Sequence, residues 1–267
     1  MAHLILVPTP IGNLGDMTLR GLETLKTADV VAAEDTRHSQ KLLHHYHIDK
    51  PLVRLDAHTI AERAEGVLAK YNRVAFITDA GTPGISDPGA ELVVLALNRG
   101  DTVEVLPGAT AFVPALVLSG LMTARFTFEG FLPRKGSSRR ERLETVAAST
   151  ATSIIYESPQ RLLETLADLQ SVCGDRPASV SRELSKLHET TYRGTLSEIS
   201  AHLNDKDIKG EIVIVVSGSS NEKQVIDFKA ETERLRTEGL HGRELREALS
   251  ALGAPRNLAY ELSVKKE

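Results

Sequence analysis

The chain reads as an α/β protein of two domains, with a mostly parallel N-terminal sheet, a mixed C-terminal sheet and a small helical appendix. Three observations support this. Short aliphatic runs alternate with amphipathic segments from His3 to Leu106, as in a parallel sheet covered by helices on both faces. The alternation restarts at Phe126 with a larger share of strand, which suits a mixed sheet. The stretch Ser217-Gly-Ser-Ser-Asn221 then has the composition of a linker. A length of 267 residues accommodates this division, at roughly 150 residues per domain. The expected boundaries are 1–110, 111–218 and 222–267.

The elements follow in order. His3-Leu-Ile-Leu-Val7 is a strand ended by the turn-rich Pro8 to Gly15, after which Asp16 can cap a helix carrying Leu19, Leu22 and Leu25 on one face. Asp29 to Ala33 is the next strand, closing on Glu34-Asp35-Thr36-Arg37, with a helix to about Tyr46. Leu52 to Leu55, a helix over Ala61 to Lys70, and the strand Val74 to Thr78 come next. A helix over Ala90 to Asn98 leads to the strand Thr102 to Leu106 and the break Pro107-Gly108. A helix around Ala109 to Leu121 bridges the halves. The second half has strands at Phe126 to Phe131, Thr152 to Tyr156, Ala178 to Arg182, Thr190 to Arg193 and Glu211 to Val216, with helices over Ser138 to Ala148, Pro159 to Val172 and from Leu196. Phe228 to Glu238, Gly242 to Leu252 and Pro255 to Val264 read as three short helices turning at Gly253-Ala-Pro-Arg.

Composition narrows the function classes. The apolar fraction of 41% and charged fraction of 25% are those of a soluble globular chain, and no run approaches the ~20 residues of a membrane helix. A cytoplasmic location without a membrane partner is the expectation. With 4% aromatic residues and no tryptophan, an aromatic stacking platform is disfavoured. The single cysteine, Cys173, excludes an intrachain disulfide and multi-cysteine zinc chemistry, so no metal is expected. His44, His45, His47 and Asp49 read as a solvated helix end rather than as metal ligands. Net charge is −4, yet Arg134-Lys135-Gly-Ser-Ser-Arg139-Arg140-Glu-Arg142 holds five bases against one acid. Such a run is either a solvated loop or a phosphate-contacting patch.

Four strand ends carry functional groups: Pro8 to Gly15, Glu34 to Arg37, Asp79 to Gly89 and Pro107 to Thr110. In a parallel sheet they share the carboxyl edge, where ligands bind. Asp79-Ala-Gly-Thr-Pro-Gly-Ile-Ser-Asp-Pro-Gly89 packs three glycines and two prolines into eleven residues, which lets backbone turn sharply and approach a ligand. A plain surface turn is the alternative. Glu34, Asp35 and Arg37 suit either substrate handling or an internal salt bridge. Neither a Gly-x-Gly-x-x-Gly after a strand nor a Gly-x-x-x-x-Gly-Lys-Ser/Thr occurs, so ordinary dinucleotide or ATP binding is disfavoured. A nucleoside with a positive centre, such as S-adenosylmethionine, fits a site built from backbone groups and one carboxylate.

Val7-Pro-Thr-Pro-Ile-Gly-Asn-Leu14, Ala32-Ala-Glu-Asp-Thr-Arg37, Asp79-Ala-Gly-Thr-Pro83, Ser86-Asp-Pro-Gly89, Leu106-Pro-Gly108, Glu129-Gly-Phe-Leu-Pro133, Tyr156-Glu-Ser-Pro159, Arg182-Glu-Leu-Ser-Lys186 and Gly210-Glu211 resemble, in order and spacing, the ribosomal RNA small subunit methyltransferase I family. The resemblance implies a tetrapyrrole-methylase-like (class III) methyltransferase fold and S-adenosylmethionine-dependent 2′-O-methylation of a cytidine in 16S ribosomal RNA near the decoding centre. It places the cofactor against Pro10, Gly12, Asp79, Gly81, Thr82, Pro83, Gly108 and Ala109, with Tyr156, Leu184 and Glu211 nearby. RNA is expected at Arg37, Arg134, Lys135, Arg139, Arg140, Arg142 and Lys186, and the chain is expected to pair as a homodimer. Glu34, Asp35 or His58 would take or orient the hydroxyl proton while Arg37 grips a phosphate. Where the family often reads Leu-x-x-His-Asn-Glu, this chain has Leu55-Asp-Ala-His58-Thr-Ile60. A tetrapyrrole (precorrin-type) methyltransferase and a ligand-sensing nucleic-acid-binding regulator are the alternatives.

Overall fold

Five short strands, β1 (His3–Leu6), β2 (Val30–Ala33), β3 (Leu52–Arg54), β4 (Arg73–Ile77) and β5 (Thr102–Val105), line up in the order β3-β2-β4-β1-β5. Every pairing is parallel. Parallel neighbours need crossovers, which α1 (Leu19–Thr27), α2 (Thr36–His45), α3 (Ile60–Lys70) and α4 (Gly89–Asn98) supply. Alternate strand residues then feed opposite faces. Leu4, Leu6, Val30 and Phe76 pack with Ala64, Leu68 and Leu92 of α3 and α4, while Ile5, Val7, Val31 and Ile77 pack with Leu25 and Leu43 of α1 and α2. Burial on both faces is why β2 and most of β4 read as unbroken apolar runs. The computed structural model describes residues 1–219, 228–252 and 254–264.

After α5 (Phe112–Ser119) the chain builds a second sheet from β6 (Phe126–Phe131), β7 (Thr152–Glu157), β8 (Pro177–Arg182), β9 (Thr190–Thr195) and β10 (Ile212–Val216), with α6 (Ser137–Ala148), α7 (Leu162–Cys173) and α8 (Leu196–Leu203) between them. The order is β6-β7-β10-β8-β9, and only β6 and β7 run parallel. α6, α7 and α8 cover one face around Ile155, Leu166, Leu196 and Ile214, and α5 covers the other through Leu116 against Ile154, Val213 and Val215. A capping box fixes the start of α8: Thr195 accepts from the Glu198 backbone and the Glu198 carboxylate accepts from the Thr195 backbone.

Met1–Ser219 forms one compact unit holding both sheets, so the expected division near residue 110 separates two sheets within that unit. The second unit, Ser220–Glu267, contains α9 (Phe228–Thr237), α10 (Gly242–Ala251) and α11 (Arg256–Val264) around Leu235, Leu245, Leu249 and Ala259. Ser220 and Asn221 of the expected linker and Gly253 of the expected turn lie outside the described residues. No helix among the described residues is long and apolar enough to cross a membrane.

The structure differs from expectation at three places. The helix expected from Ala109 begins at Phe112, because the Ala109 carbonyl is taken by the Thr82 hydroxyl at 2.9 Å. The helix expected at Pro159 opens with a 3₁₀ turn, Pro159–Arg161, before α7 begins. Arg139, expected in a solvent-facing basic run, is buried: it donates to Asp168 at 2.8 Å, to the Pro133 carbonyl at 3.0 Å and to the Thr165 hydroxyl at 3.0 Å. Its place on the inner side of α6 follows from the helical spacing to Leu143 and Val146, which share that side.

Candidate functional site

Because β1 and β4 are neighbours, the loops that follow them lie side by side, and they are tied together. The Thr9 N–H donates to the Gly81 carbonyl and the Gly81 N–H to the Thr9 carbonyl, both at 2.9 Å. Gly81 makes this bridge at φ 82°, a conformation that glycine adopts without steric cost. The Thr9 hydroxyl also donates to the Thr78 carbonyl at 3.1 Å. Thr82 reaches the third loop at Ala109, and Gly108 lies so close to Pro8 that a Cβ there would sit 2.5 Å from the proline Cβ. Asp87 closes its own loop by accepting from the Gly84 and Gly89 N–H groups at 2.6 and 2.8 Å. Of the two carboxylates in that loop, Asp87 is thus the one that braces it.

Above these loops lies a cavity of about 500 Å³, walled on one side by the parallel sheet's carboxyl edge and on the other by the second sheet. Of the residues expected to hold a cofactor, Asp79, Gly81, Thr82, Tyr156, Leu184 and Glu211 line it; Glu34 does too. Pro10, Gly12, Pro83, Gly108 and Ala109 are not in the lining. Gly108 and Ala109 instead hold the loops together, and Gly12 packs under the Lys186 stem, where an added Cβ would collide with the lysine Cγ. The lining also takes in Ile11, Ile85 and Thr110 from the loops expected on the ligand edge, and Thr78, Phe131 and Val213, which were not foreseen. Thr78 directly follows β4, a signal that strand-end position alone could have supplied.

The walls are largely apolar, from Ile11, Ile85, Leu184 and Val213, while five lining residues are acidic (Glu34, Asp79, Asp87, Glu157 and Glu211) and none is basic. The Thr78 hydroxyl is buried without a hydrogen-bond partner of its own. Burial pushes the Tyr156 phenol up despite hydrogen bonds to Thr110 and to the backbone of Phe112 and Ala111, and its ring packs on Phe128 and Phe131. Glu157 is fixed from behind: Thr165 donates to it at 2.7 Å and is itself held by Arg139. Arg139 therefore supports the cavity wall and is not free for an external ligand.

Glu34, Asp35 and Arg37 divide sharply in role. Burial, followed by the negative charges of Asp79 and Asp87, raises the Glu34 pKa above its usual 4.5, against a hydrogen bond from the Asp79 backbone. Asp35 caps α2 and grips Arg37, accepting from its backbone N–H at 2.8 Å and its guanidinium at 2.9 Å. Those bonds hold Asp35 well below the ordinary carboxylate range. The Arg37 side chain is 89% exposed. His58 is exposed, outside the cavity lining, and its backbone N–H donates to Asp56. The neighbouring departures from the family pattern serve the start of α3: the Thr59 hydroxyl donates to Asp56 at 2.8 Å and Ile60 is buried in the core.

The remaining expected RNA contacts are unequal. Arg134, Lys135 and Arg140 are exposed, whereas Arg142 pairs with Glu129 at 3.0 Å. Lys186 pairs with Glu183 at 2.8 Å and Glu211 at 3.2 Å; burial works against its charge, but the two carboxylates raise its pKa overall. The loop carrying it is strained, with Glu183 and Ser185 at positive φ, and the Ser185 hydroxyl reaches Asp16 beside the first loop. No group of three or more His, Cys, Asp or Glu among the described residues is placed to hold a metal ion.

The chain as a whole is similar to several known proteins. The profile of the Tetrapyrrole (Corrin/Porphyrin) Methylases matches residues 3–200. A ribosomal RNA small subunit methyltransferase I from Synechocystis sp. is 44% identical over 276 residues, covering all of this chain and 99% of that protein. Among solved structures, a diphthine synthase superposes with a TM-score of 0.61 at 15% identity, covering 81% of this chain and 90% of its own. A uroporphyrin-III C-methyltransferase from Thermus thermophilus, crystallised with S-adenyl homocysteine, superposes with a TM-score of 0.59 at 19% identity, covering 81% of this chain and 97% of its own.

The electrostatics of Glu34 give a stability test. A carboxyl whose folded pKa exceeds its unfolded value binds more protons when folded, so its contribution to stability is present at low pH and is lost as pH rises through the folded pKa. Glu34→Gln is therefore expected to match the parent in thermal midpoint below about pH 4 and to exceed it as pH rises above the ordinary carboxylate range and through the raised folded pKa. Differential scanning fluorimetry across that range checks this; a variant less stable than the parent at pH 8 contradicts it.

Proposed function

The chain belongs to the ribosomal RNA small subunit methyltransferase I family, and from that premise we propose that it 2′-O-methylates a cytidine of small-subunit (16S) ribosomal RNA near the decoding centre, with S-adenosylmethionine as methyl donor. The observation that carries the proposal is the apolar-walled, acidic cavity on the sheet's carboxyl edge, with an exposed arginine, Arg37, three residues along the chain from the lining Glu34. S-adenosylmethionine supplies an electrophilic methyl group on a positively charged sulfur. The cavity suits such a molecule: Ile11, Leu184 and Val213 offer apolar surface, the unpartnered Thr78 hydroxyl offers a hydrogen bond, and Asp79 and its acidic neighbours favour a cation.

A ribose hydroxyl is a weak nucleophile, and much of the acceleration in such a transfer comes from holding the reacting groups in line. The tied loops at Thr9, Gly81 and Ala109 provide a rigid floor for that alignment. Of the three candidate proton acceptors, Glu34 fits the role best. Its raised pKa makes it a stronger base, it lines the cavity, and it stands at the end of β2. Asp35 is occupied by Arg37, and His58 faces solvent away from the lining.

The alternatives fare less well. The full-length likeness to the Synechocystis relative outweighs likenesses of 15 to 19% to enzymes with other names. In the helical unit, Arg234 pairs with Glu231 and Glu238, and Arg243 with Glu247, so these cations are neutralised where a DNA-reading head would present them. The homodimer fits exposed Val113 and Val117 on α5, near Phe126, whose ring lies 6.4 Å from Phe112. Sedimentation equilibrium is expected to give twice the monomer mass, and a monomer would count against that pairing.

The direct test uses small ribosomal subunits from cells lacking this protein and methyl-labelled S-adenosylmethionine. Label is expected in an alkali-stable dinucleotide beginning with cytidine, because a 2′-O-methyl group blocks hydrolysis at that linkage. Glu34→Gln is expected to lower kcat by about 10²-fold or more with the KM for S-adenosylmethionine within about twofold. Label on a base, or none on the RNA, contradicts the assignment.

A further inference from the structure

The segment from Thr36 to Ile48 contains no acid, yet holds Arg37, Lys41 and four of the chain's nine histidines (His38, His44, His45 and His47). Its folding sorts these side chains. Ser39 and Leu43 are buried against the sheet, while Arg37, Gln40, Lys41 and His44, at the i, i+3, i+4 and i+7 positions, share one exposed face of α2. Those four residues together line a shallow concavity of about 390 Å³. The Arg37 charge is offset by Asp35, but neither Lys41 nor His44 has an ion pair among the described residues. The face thus presents an uncompensated ammonium, an imidazole, an amide and a guanidinium fork, all of them able to donate hydrogen bonds to anionic oxygens.

Position gives the face its meaning. α2 starts two residues after Glu34, so the face begins, at Arg37, three residues along the chain from the lining of a cavity with five acids and no base. A polyanion cannot follow a nucleotide into such a cavity, so its phosphates need a basic surface outside. Of the run expected to serve, Arg139 is buried and Arg142 pairs with Glu129, which leaves Arg134, Lys135 and Arg140 exposed, and Lys186 is held by Glu183 and Glu211. We propose that the exposed face of α2, formed by Arg37, Gln40, Lys41 and His44, is the surface that grips the RNA phosphate backbone beside the methylated nucleotide. This inference rests on the functional reading above and adds Lys41 and His44 to it.

The probe is the small ribosomal subunit from cells lacking this protein, used with the full chain. The doubly substituted Lys41→Glu, His44→Glu protein, whose changes are at exposed positions, is expected to melt with the parent. Its Kd and KM for the particles should rise by about tenfold or more, with a shallower dependence of log K on log salt. The kcat at saturating particles and the KM for S-adenosylmethionine should stay within about twofold, and Lys41→Arg should bind as the parent does. Unchanged particle affinity in the double variant, or a fall confined to kcat, overturns the inference. If the parent methylates the particles and the variant binds them equally well, only the α2 surface is wrong. If the parent neither binds nor methylates them, the functional reading fails and takes this inference with it.

Discussion

The paired hydrogen bonds between Thr9 and Gly81 are the constraint on which the site depends. β1 and β4 are adjacent because the chain, after the three crossovers α1, α2 and α3, inserts β4 between β1 and β2. That adjacency brings two glycine- and proline-rich loops into register, and the bridge locks them. Thr82 then holds the third loop at Ala109, and the absence of a side chain at Gly108 lets Pro8 close against it. Loops of this composition are entropically costly to order. Tied to each other, they become a floor stiff enough to hold reacting groups in line, with the second sheet as the opposite wall.

Charge is arranged around that floor in a short span of chain. Glu34 turns toward Asp79 and Asp87 and becomes a weaker acid, whereas its neighbour Asp35 turns outward, caps α2 and becomes a stronger one. The contrast comes from environment rather than residue type: one carboxylate meets burial and like charge, the other meets backbone N–H groups and a guanidinium. The cavity thereby favours cations while the helix beside it favours anions. A methyl donor with a positive sulfur and a substrate with a phosphate backbone call for that separation.

Much of the fold was legible because its signals are local. Buried parallel strands appear as aliphatic runs, and loops that end at a ligand edge advertise themselves through glycine and proline, as Asp79 to Gly89 does. Strand-end position pointed to Glu34, Asp79, Gly81 and Thr82, and all four line the cavity. What escaped depends on distant partners. Nothing within Arg134 to Arg142 shows that Thr165 and Asp168 take Arg139 inside, or that Glu129 claims Arg142. Nothing near Arg182 to Lys186 shows that Glu211, beside β10, reaches back to Lys186, since β10 slips between β7 and β8 only in the folded sheet. Pro10, Gly12 and Pro83 stood beside the lining instead of in it because a glycine or proline that shapes a loop leaves no mark distinguishing it from one that touches a ligand.

The central claim is that this fold delivers a methyl group to a ribose in small-subunit ribosomal RNA. Mass-spectrometric mapping of ribose methylation in that RNA, from cells with and without this protein, tests it most directly. The account predicts the loss of one 2′-O-methylcytidine near the decoding centre, restored by the parent gene and not by one encoding Glu34→Gln. An unchanged methylation map in cells lacking the protein would contradict it.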